Sequence, residues 1–250
     1  METLADETQI LKNRFKELSS RSHNRGIYCY SDFLNLHEQT LLCNEIRYGF
    51  SLYGGFEDAE RKIAVFGTAD EFGYEPEPPV ALLCIAPLSQ KFSDDLTHRD
   101  FLGSLMGLGI KRETLGDIII TENKGYLFCL ESMAEYIKDN LTSVRRTSVS
   151  CELCEALPED ALPKPEEKLV IVSSLRLDAL ISGVYDISRS KSAALIDGEK
   201  VFINGKLTPS TSKTIEEEDT VSVRGYGRFK FKEISGNTKK GKTRVICLVY

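Results

Sequence analysis

The 250-residue sequence has no long run of apolar residues. A membrane-spanning helix needs about 20 consecutive apolar residues, so the pattern predicts a protein without a membrane span. The first 16 residues are charged throughout and lack the apolar segment of a secretory signal peptide. These absences predict a cytoplasmic protein that does not bind membranes.

The sequence also lacks a second close pair of cysteines. Its 7 cysteines are an odd number and lie mostly among apolar residues, which predicts buried thiols in a reducing compartment. The one close pair is Cys151 and Cys154, whereas a zinc site usually takes two such pairs. The 3 histidines lie far upstream of this pair. We therefore predict no metal and no cofactor. A redox pair at Cys151 and Cys154 remains the alternative to a structural role.

The net charge is −6, so the sequence lacks the net positive charge that is common in nucleic-acid-binding proteins. That average conceals an asymmetry between two parts of the chain. Residues 1–164 carry 17 basic and 27 acidic side chains, whereas residues 165–250 carry 15 and 11. Residues 224–244 contain eight basic side chains and one acid, Glu233. Such a cluster attracts phosphates locally even in an acidic protein, although a solvated charged face is the simpler interpretation.

Helical spacing dominates the N-terminal part. Leu11, Phe15 and Leu18 recur at the spacing of one helix face. Ser31 is the predicted N-cap of a second helix, before the Gly54–Gly55 break. We predict an N-terminal helical region over residues 1–60.

The next segment alternates between strands and helices. The predicted elements are strands at Lys62–Phe66 and Val80–Ile85, a helix capped by Thr97, a hairpin around Asn123–Gly125, a helix from Ser132 and a strand from Thr147 to Cys151. This order predicts a small α/β sandwich over residues 61–156, with its helices on one face of the sheet. It resembles the ferredoxin-like topology or that of the RNA-recognition motif, in shape only, because the stacking aromatic residues of that motif are not evident.

Residues 157–167 form the predicted linker. They contain three prolines and four acids, a composition that does not build a core. We therefore predict a C-terminal domain after this linker, over residues 168–250, that includes a basic C-terminal hairpin. The overall prediction is therefore an α+β protein.

Two short helices and a hairpin are predicted next. Ser174 caps the first predicted helix and Gly183 ends it, while Ser188 and Gly198 bound the second. The second helix carries Arg189 and Lys191 in its first turn. Basic residues there oppose the helix dipole, but they are favourable if a phosphate binds at the helix start.

A short strand then runs into Asn204–Gly205, a strong two-residue hairpin signal, and another strand precedes Arg224. This arrangement brings a set of basic side chains within reach of one surface. The set comprises Arg176, Arg189, Lys191, Lys200, Lys206 and Arg224.

Four segments of this region together resemble the S4-type RNA-binding domain. They are Leu-Arg-Leu-Asp at 175–178, Ser-Arg-Ser-Lys-Ser-Ala-Ala at 188–194, residues 197–206 and residues 219–224. The resemblance implies that a two-helix face and the adjoining loop bind structured RNA. It implies contacts from Arg176, Arg189, Ser190, Lys191, Lys200, Asn204, Lys206 and Arg224. Asp178 is included among them, with the alternative that it orients Arg176.

Other segments are similar to those of the YlmH family. They are residues 54–61, residues 97–112, Gly116–Asp117 and residues 225–231. The resemblance implies a factor that binds ribosomal RNA and tRNA on the large ribosomal subunit. It also implies a part in quality control of stalled peptidyl-tRNA and, less directly, in cell division.

Three alternatives remain open from the residues. His98-Arg99-Asp100 resembles a catalytic motif of some pseudouridine synthases with altered spacing, so an RNA-modifying enzyme would use Asp100 or Asp117. In the non-catalytic interpretation, Arg99, Lys111 and Arg112 form a second RNA-facing patch. An interaction adaptor would instead bind a partner protein through its acidic N-terminal regions. We predict a monomer without enzymatic activity.

Overall fold

The computed structural model describes residues 4–162 and 164–250. It shows a mixed α/β protein with seven α-helices and three β-sheets among these residues. The chain divides into two compact units, residues 1–162 and 163–250, and each has a hydrophobic core of its own.

The first unit begins with a helical layer on a small sheet. Its elements are α1 (Leu4–Arg25), β1 (Cys29–Leu34), α2 (Leu36–Glu45), β2 (Phe50–Tyr53), β3 (Lys62–Phe66) and α3 (Ala69–Phe72). The strands form an antiparallel sheet in the order β1-β3-β2. Phe15 and Leu18 of α1 pack with Leu42 of α2 against this sheet, which confirms the first predicted helix.

The predicted cap of the second helix is wrong. Ser31 lies within strand β1, where its hydroxyl accepts a hydrogen bond from the amide of Ala64. Asn35 caps α2 instead, in a capping box with Glu38. The Asn-x-x-Glu pattern was present in the sequence, but the apolar residues after Ser31 belong to a strand.

A five-stranded antiparallel sheet forms the rest of the first unit. Its elements are β4 (Val80–Pro87), α4 (His98–Gly107), β5 (Leu115–Thr121), β6 (Lys124–Leu130), α5 (Glu131–Asn140), β7 (Ser143–Val144) and β8 (Thr147–Cys154). The strand order is β5-β6-β4-β8-β7. Leu105 of α4 and Ile137 of α5 lie in a core with Leu83 and Leu127 of the sheet. The predicted strands and helices of this segment are confirmed.

Strand β3 does not belong to this second sheet, contrary to the predicted sandwich. It pairs with β1 and β2, while Ile63 and Val65 pack in one apolar cluster with Leu82 and Phe128 of the second sheet. Leu157 and Ala161 also lie in this cluster, although the sequence placed both in a linker. An apolar residue between prolines can still be buried when a neighbouring sheet leaves space for it.

The second unit packs two helices on one face of a six-stranded sheet. Its elements are β9 (Glu166–Val172), α6 (Leu177–Val184), α7 (Arg189–Asp197), β10 (Val201–Ile203), β11 (Lys206–Leu207), β12 (Thr220–Val223), β13 (Gly227–Asn237) and β14 (Thr243–Val249). The strand order is β11-β10-β12-β13-β14-β9. Leu180, Ile181 and Ile196 of the helices bury against Phe229 and Phe231 of β13.

Candidate nucleic-acid interface

A buried carboxylate holds two arginines at the start of the helix pair. Asp178 is 7% exposed. Its Oδ1 accepts a hydrogen bond from Nε of Arg176 at 3.0 Å, and its Oδ2 accepts one from Nη2 of Arg189 at 2.7 Å. Burial alone would raise the pKa of Asp178, but the hydrogen bonds from Arg176 and Arg189 outweigh that effect and lower it. The carboxylate therefore orients both guanidinium groups while they remain partly exposed.

The local backbone fixes where this cluster lies. Arg176 is the N-cap of α6, and its extended backbone bridges to Thr214. The amide of Leu177 donates a hydrogen bond to the carbonyl of Lys213 at 2.8 Å. The loop between β11 and β12 therefore accepts the hydrogen bond from the first amide of α6. The predicted N-cap at Ser174 is wrong.

Gly183 does not end α6, because it lies inside the helix. A Cβ atom at this position would lie 2.2 Å from Cγ1 of Val170 on β9. The glycine therefore allows close contact between helix and sheet, and the predicted left-handed termination at Gly183 is wrong.

Helix α7 begins as predicted. The hydroxyl of Ser188 accepts a hydrogen bond from the amide of Lys191 at 3.2 Å, which confirms the predicted cap. Arg189, Ser190 and Lys191 are exposed in the first turn. The ammonium group of Lys191 lies 5.6 Å from the ring centre of Tyr226. Two exposed cations and a hydroxyl therefore surround a helix N-terminus, an arrangement that suits an anionic ligand.

The remaining basic residues lie at the β10–β12 side of the sheet. Lys200, Lys206 and Arg224 are exposed, and the carbonyl of Lys200 accepts a hydrogen bond from the amide of Arg224 at 2.9 Å. The Arg224 guanidinium stacks 4.8 Å from the ring centre of Phe202. Contacts thus connect Lys200 with Arg224, separately from the group around Asp178.

Asn204 has a structural role in the hairpin. Asn204 and Gly205 have φ values of 48° and 72°, as a two-residue hairpin turn requires, which confirms the predicted turn. The Asn204 side chain donates a hydrogen bond to Oδ1 of Asp219 at 2.7 Å and accepts one from the amide of Thr220 at 2.9 Å. Its amide group therefore joins the β10–β11 turn to the start of β12.

The three residues of the second predicted patch have different surroundings. Arg99 and Lys111 are exposed. Arg112 instead directs Nη1 to the carbonyl oxygens of Leu115 at 2.7 Å and Gly116 at 3.2 Å. Burial, with a smaller effect from Arg61, lowers the pKa of Arg112 to about 10. The structure does not bring Arg112 together with Arg99 and Lys111 as one exposed patch.

Arg61 and Asp117 form hydrogen bonds within the first unit, a structural role that neither the catalytic alternative for Asp117 nor the family segment 54–61 indicated. The Arg61 guanidinium donates hydrogen bonds to the carbonyl oxygens of Phe33 and Leu115, both at 2.8 Å. The Asp117 carboxylate accepts hydrogen bonds from the amides of Glu60 at 2.6 Å and Arg61 at 3.1 Å. These bonds join the loop before β3 to strand β5. A pattern of charged and apolar residues does not indicate which distant backbone groups a charged side chain contacts, so this contact could not be predicted.

The structure argues against a shared site at Cys151 and Cys154. They lie three positions apart on β8, so their side chains point to opposite faces of the sheet. Cys151 lies in the core beneath α4 and α5, and Cys154 packs against the other sheet. Burial raises the pKa of the Cys151 thiol to about 12. In the described part of the chain, no three His, Cys, Asp or Glu side chains cluster as metal ligands.

Asp100 forms a capping box at the start of α4. Its Oδ2 accepts hydrogen bonds from the amide of Thr97 at 2.9 Å and from the Thr97 hydroxyl at 2.6 Å. This geometry confirms the predicted cap at Thr97.

Among the described residues, no helix is both long and apolar enough to span a membrane.

Comparison with known proteins identifies the family. The chain is 32% identical over 227 residues to the ribosome-associated protein quality control protein P2 of Bacillus subtilis strain 168, an alignment that covers 86% of this chain and 84% of the relative. The chain belongs to the YlmH family. The family model described as "Putative RNA-binding domain in YlmH" matches residues 80–157. In the YlmH-family chain studied here, that match spans the complete sheet from β4 to β8 with helices α4 and α5.

A solved structure titled cell division protein ylmH from Streptococcus pneumoniae is also similar. It is 24% identical, and the match covers 62% of this chain and 94% of that chain. The TM-score of 0.48 is too low to support a functional argument.

Proposed function

We propose that this YlmH-family protein is a non-catalytic factor that binds structured ribosomal RNA and tRNA on the large ribosomal subunit. It would act there, in the cytoplasm, in quality control of stalled peptidyl-tRNA. The arginine pair held by Asp178 beside the N-terminus of α7 is the observation that carries this proposal. The relationship to a ribosome-associated quality control protein supports the cellular context.

The RNA-binding face would comprise the first turns of α6 and α7. Arg176 and Arg189 are preorganised by one carboxylate, so they lose little conformational entropy when they bind phosphate oxygens. Lys191 and Ser190 would contact the same backbone at the N-terminus of α7, where free amide groups also attract anions. Such contacts favour the shape of a folded RNA over its sequence.

Lys200, Lys206 and Arg224 would extend this face toward the β10–β11 turn. The exposed lysines supply point charges, and the planar Arg224 guanidinium on Phe202 offers a surface for stacking or for phosphate contact. Asn204 would hold the turn in place, and Asp178 would act as a positioning residue. Arg99 and Lys111 would be weaker contacts in the first unit.

The domain assignment follows the same proposal. The second unit would be an S4-type domain, because its two helices and hairpin carry the segments that resemble that domain. Residues 80–157 would be a domain similar in shape to the RNA-recognition motif, with α4 and α5 on one face of the antiparallel sheet. The N-terminal layer would cover the other face.

A modifying enzyme is the weaker candidate. Asp100 is hydrogen-bonded to Thr97 in a capping box, and Asp117 is hydrogen-bonded to the amides of Glu60 and Arg61. A catalytic aspartate must reach the substrate, whereas these carboxylates hold local structure.

Replacing exposed charges on α7 tests the RNA face. R189Q together with K191Q should weaken binding to large ribosomal subunits about 30-fold or more, because each of the two lost charge-assisted contacts contributes about 1 kcal/mol or more. Arg176 is kept so that Asp178 retains one partner. Sedimentation followed by quantitative blotting measures the effect.

The matched control is K138Q together with K164Q, which removes two exposed lysines outside the proposed face. It should co-sediment like the wild type. Equal binding by the R189Q/K191Q variant would refute the assigned face. Crosslinking to RNA in cells, followed by sequencing, would then identify the RNA contacted by wild type and would distinguish ribosomal RNA from tRNA.

A further inference from the structure

A cleft in the first unit has the size of a ligand-binding site. Its volume is about 760 Å³, and it lies between α1, β1 and the start of α5. Ligand pockets typically measure about 300–1,000 Å³. This cleft contains none of the residues assigned to RNA binding.

The cleft combines apolar side chains with an acidic wall. Leu11 of α1 lines it together with Tyr30 of β1 and Leu130 at the end of β6, and all three are partly exposed. Asp32, Glu113 and Glu131 line it as well, and all three are exposed. A purely acidic surface would collect any cation, but apolar side chains next to carboxylates favour a ligand that is both cationic and apolar.

The acidic wall is only partly neutralised: Glu113 lies 4.0 Å from the ammonium group of Lys111, whereas none of the ion pairs among the described residues involves Asp32 or Glu131. Arg14 forms an ion pair with Glu17 of its own helix, at 3.0 Å. In the described part of the chain, no side chain donates a hydrogen bond to the Asp32 carboxylate. Although Asp32 is exposed, partial desolvation by its neighbours raises the pKa of its carboxyl, the nearby Glu113 raises it further, and Arg14 and Lys111 act in the opposite direction. A cation in the cleft would relieve this repulsion.

We propose that this cleft binds a peptide segment of a partner protein that places a lysine or arginine next to an apolar side chain. RNA is disfavoured as the occupant, because phosphates would approach Asp32 and Glu113 within a unit that is already acidic. The cation would lie against the acidic wall, and the apolar side chain would contact Leu11, Tyr30 and Leu130. This partner surface is independent of the proposed RNA face.

Binding of short labelled peptides to the full-length protein tests the proposal. The probe is Gly-Lys-Leu-Arg-Phe-Lys-Gly, one matched peptide has Glu in place of each basic residue, and another has Ser in place of Leu and Phe. Fluorescence anisotropy should show that the probe binds about tenfold more tightly than either matched peptide. D32N together with E113Q should weaken binding of the probe about fivefold or more.

The control variant D139N/E159Q removes two exposed acids that do not line the cleft. Its affinity for the probe should match that of wild type, and circular dichroism would verify that both variants are folded. Equal weakening in this control would overturn the proposal. Equal binding of the Ser-substituted peptide would also overturn the proposal. Displacement of the probe by spermidine would overturn it as well, because the acidic wall would then attract cations without selecting a peptide.

Chemical-shift mapping separates this result from failure of the RNA proposal. Amide signals of residues in α1 and β1 should shift when the probe is added, whereas those of α7 should not. Signal shifts confined to the second unit would overturn the cleft as the peptide-binding site. They would not bear on the RNA face, which the sedimentation experiment tests separately.

Discussion

Asp178 contacts two guanidinium groups that both reach the surface, so one residue couples folding to the proposed binding face. A carboxylate buried without partners would be costly. Arg176 and Arg189 supply hydrogen bonds that offset this cost, and in return they are held in fixed orientations. The sequence neighbours of Asp178 suggested only the contact with Arg176, because Arg189 lies eleven positions away.

Replacing Asp178 by Asn should lower the free energy of unfolding by about 1–3 kcal/mol at pH 7, since the two charged guanidinium groups would then face a neutral amide instead of a carboxylate. The pKa of Asp178 is lowered in the folded protein, so its stabilising effect is complete above about pH 4. That effect is lost as the pH falls through the folded pKa. Urea unfolding of wild type and D178N should therefore differ at pH 7, and the difference should disappear as the pH falls through the folded pKa of Asp178. A difference that is constant across this pH range would contradict the prediction.

Gly183 provides a second prediction at the scale of one residue. Replacing it by Ala should destabilise the protein by about 1–3 kcal/mol, because the new Cβ would overlap Val170 at 2.2 Å. Gly103 of α4 is the matched control, since a Cβ there meets no atom within 4 Å among the described residues. G103A should stabilise by up to about 1 kcal/mol through helix propensity. Thermal unfolding measures both, and the loss in G183A should be smaller when Val170 is replaced by Ala.

At the scale of the element, the β10–β11 hairpin depends on one side chain. Asn204 has positive φ in the turn and also hydrogen-bonds to Asp219 and Thr220. Asn-Gly was a sufficient signal for the turn because few other residues adopt this backbone conformation easily. The contacts with Asp219 and Thr220 were not predicted, since they cross the loop between β11 and β12.

Replacing Asn204 by Ala should lower the free energy of unfolding by about 1–2 kcal/mol, because the Thr220 amide and the Asp219 carboxylate each lose a partner. Its effect on RNA affinity should be smaller than that of R189Q/K191Q, because the Asn204 amide is engaged within the protein. Chemical unfolding and an RNA-binding titration would separate the two effects. A large loss of RNA affinity with unchanged stability would assign Asn204 to direct contact instead.

At the scale of the whole molecule, charge is unevenly divided between the two units. Residues 163–250 have 16 basic and 11 acidic side chains, while residues 1–162 have 16 and 27. The cations of the second unit lie at the helix starts and along β13 and β14, including Arg228, Lys230 and Arg244. The net charge of the chain therefore does not describe what a phosphate backbone would meet at the proposed face.

Salt dependence tests this distribution in the intact protein. If about six phosphates are neutralised, affinity for ribosomal RNA should fall roughly 10³-fold between 50 and 200 mM salt. R189Q/K191Q should make the slope of log affinity against log salt shallower by about 1.5, because two phosphate contacts are lost. Filter binding over a salt series measures both slopes. Affinity that is independent of salt would exclude phosphate contacts as the source of binding.

The sequence by itself determined the features that depend on neighbouring residues. Ser188 as a helix cap, Thr97 with Asp100 and the Asn204–Gly205 turn are local, because each hydrogen bond or backbone angle involves residues within a few positions. Helix α1 and strands β3, β4, β5, β6 and β8 followed from apolar patterns for the same reason, whereas β1 and β2 lie within residues 1–60, which the sequence predicted to be helical. The motifs also indicated the family, which the comparison with the Bacillus subtilis relative established.

Only the tertiary structure decided the contacts between distant segments. It placed β3 in a sheet with β1 and β2, directed Arg112 toward backbone carbonyls and brought Arg189 to Asp178. The reason is physical: a strand's pairing partner and a buried charge's counterion are chosen by packing and desolvation across the fold, and these are not encoded in the spacing of neighbouring residues.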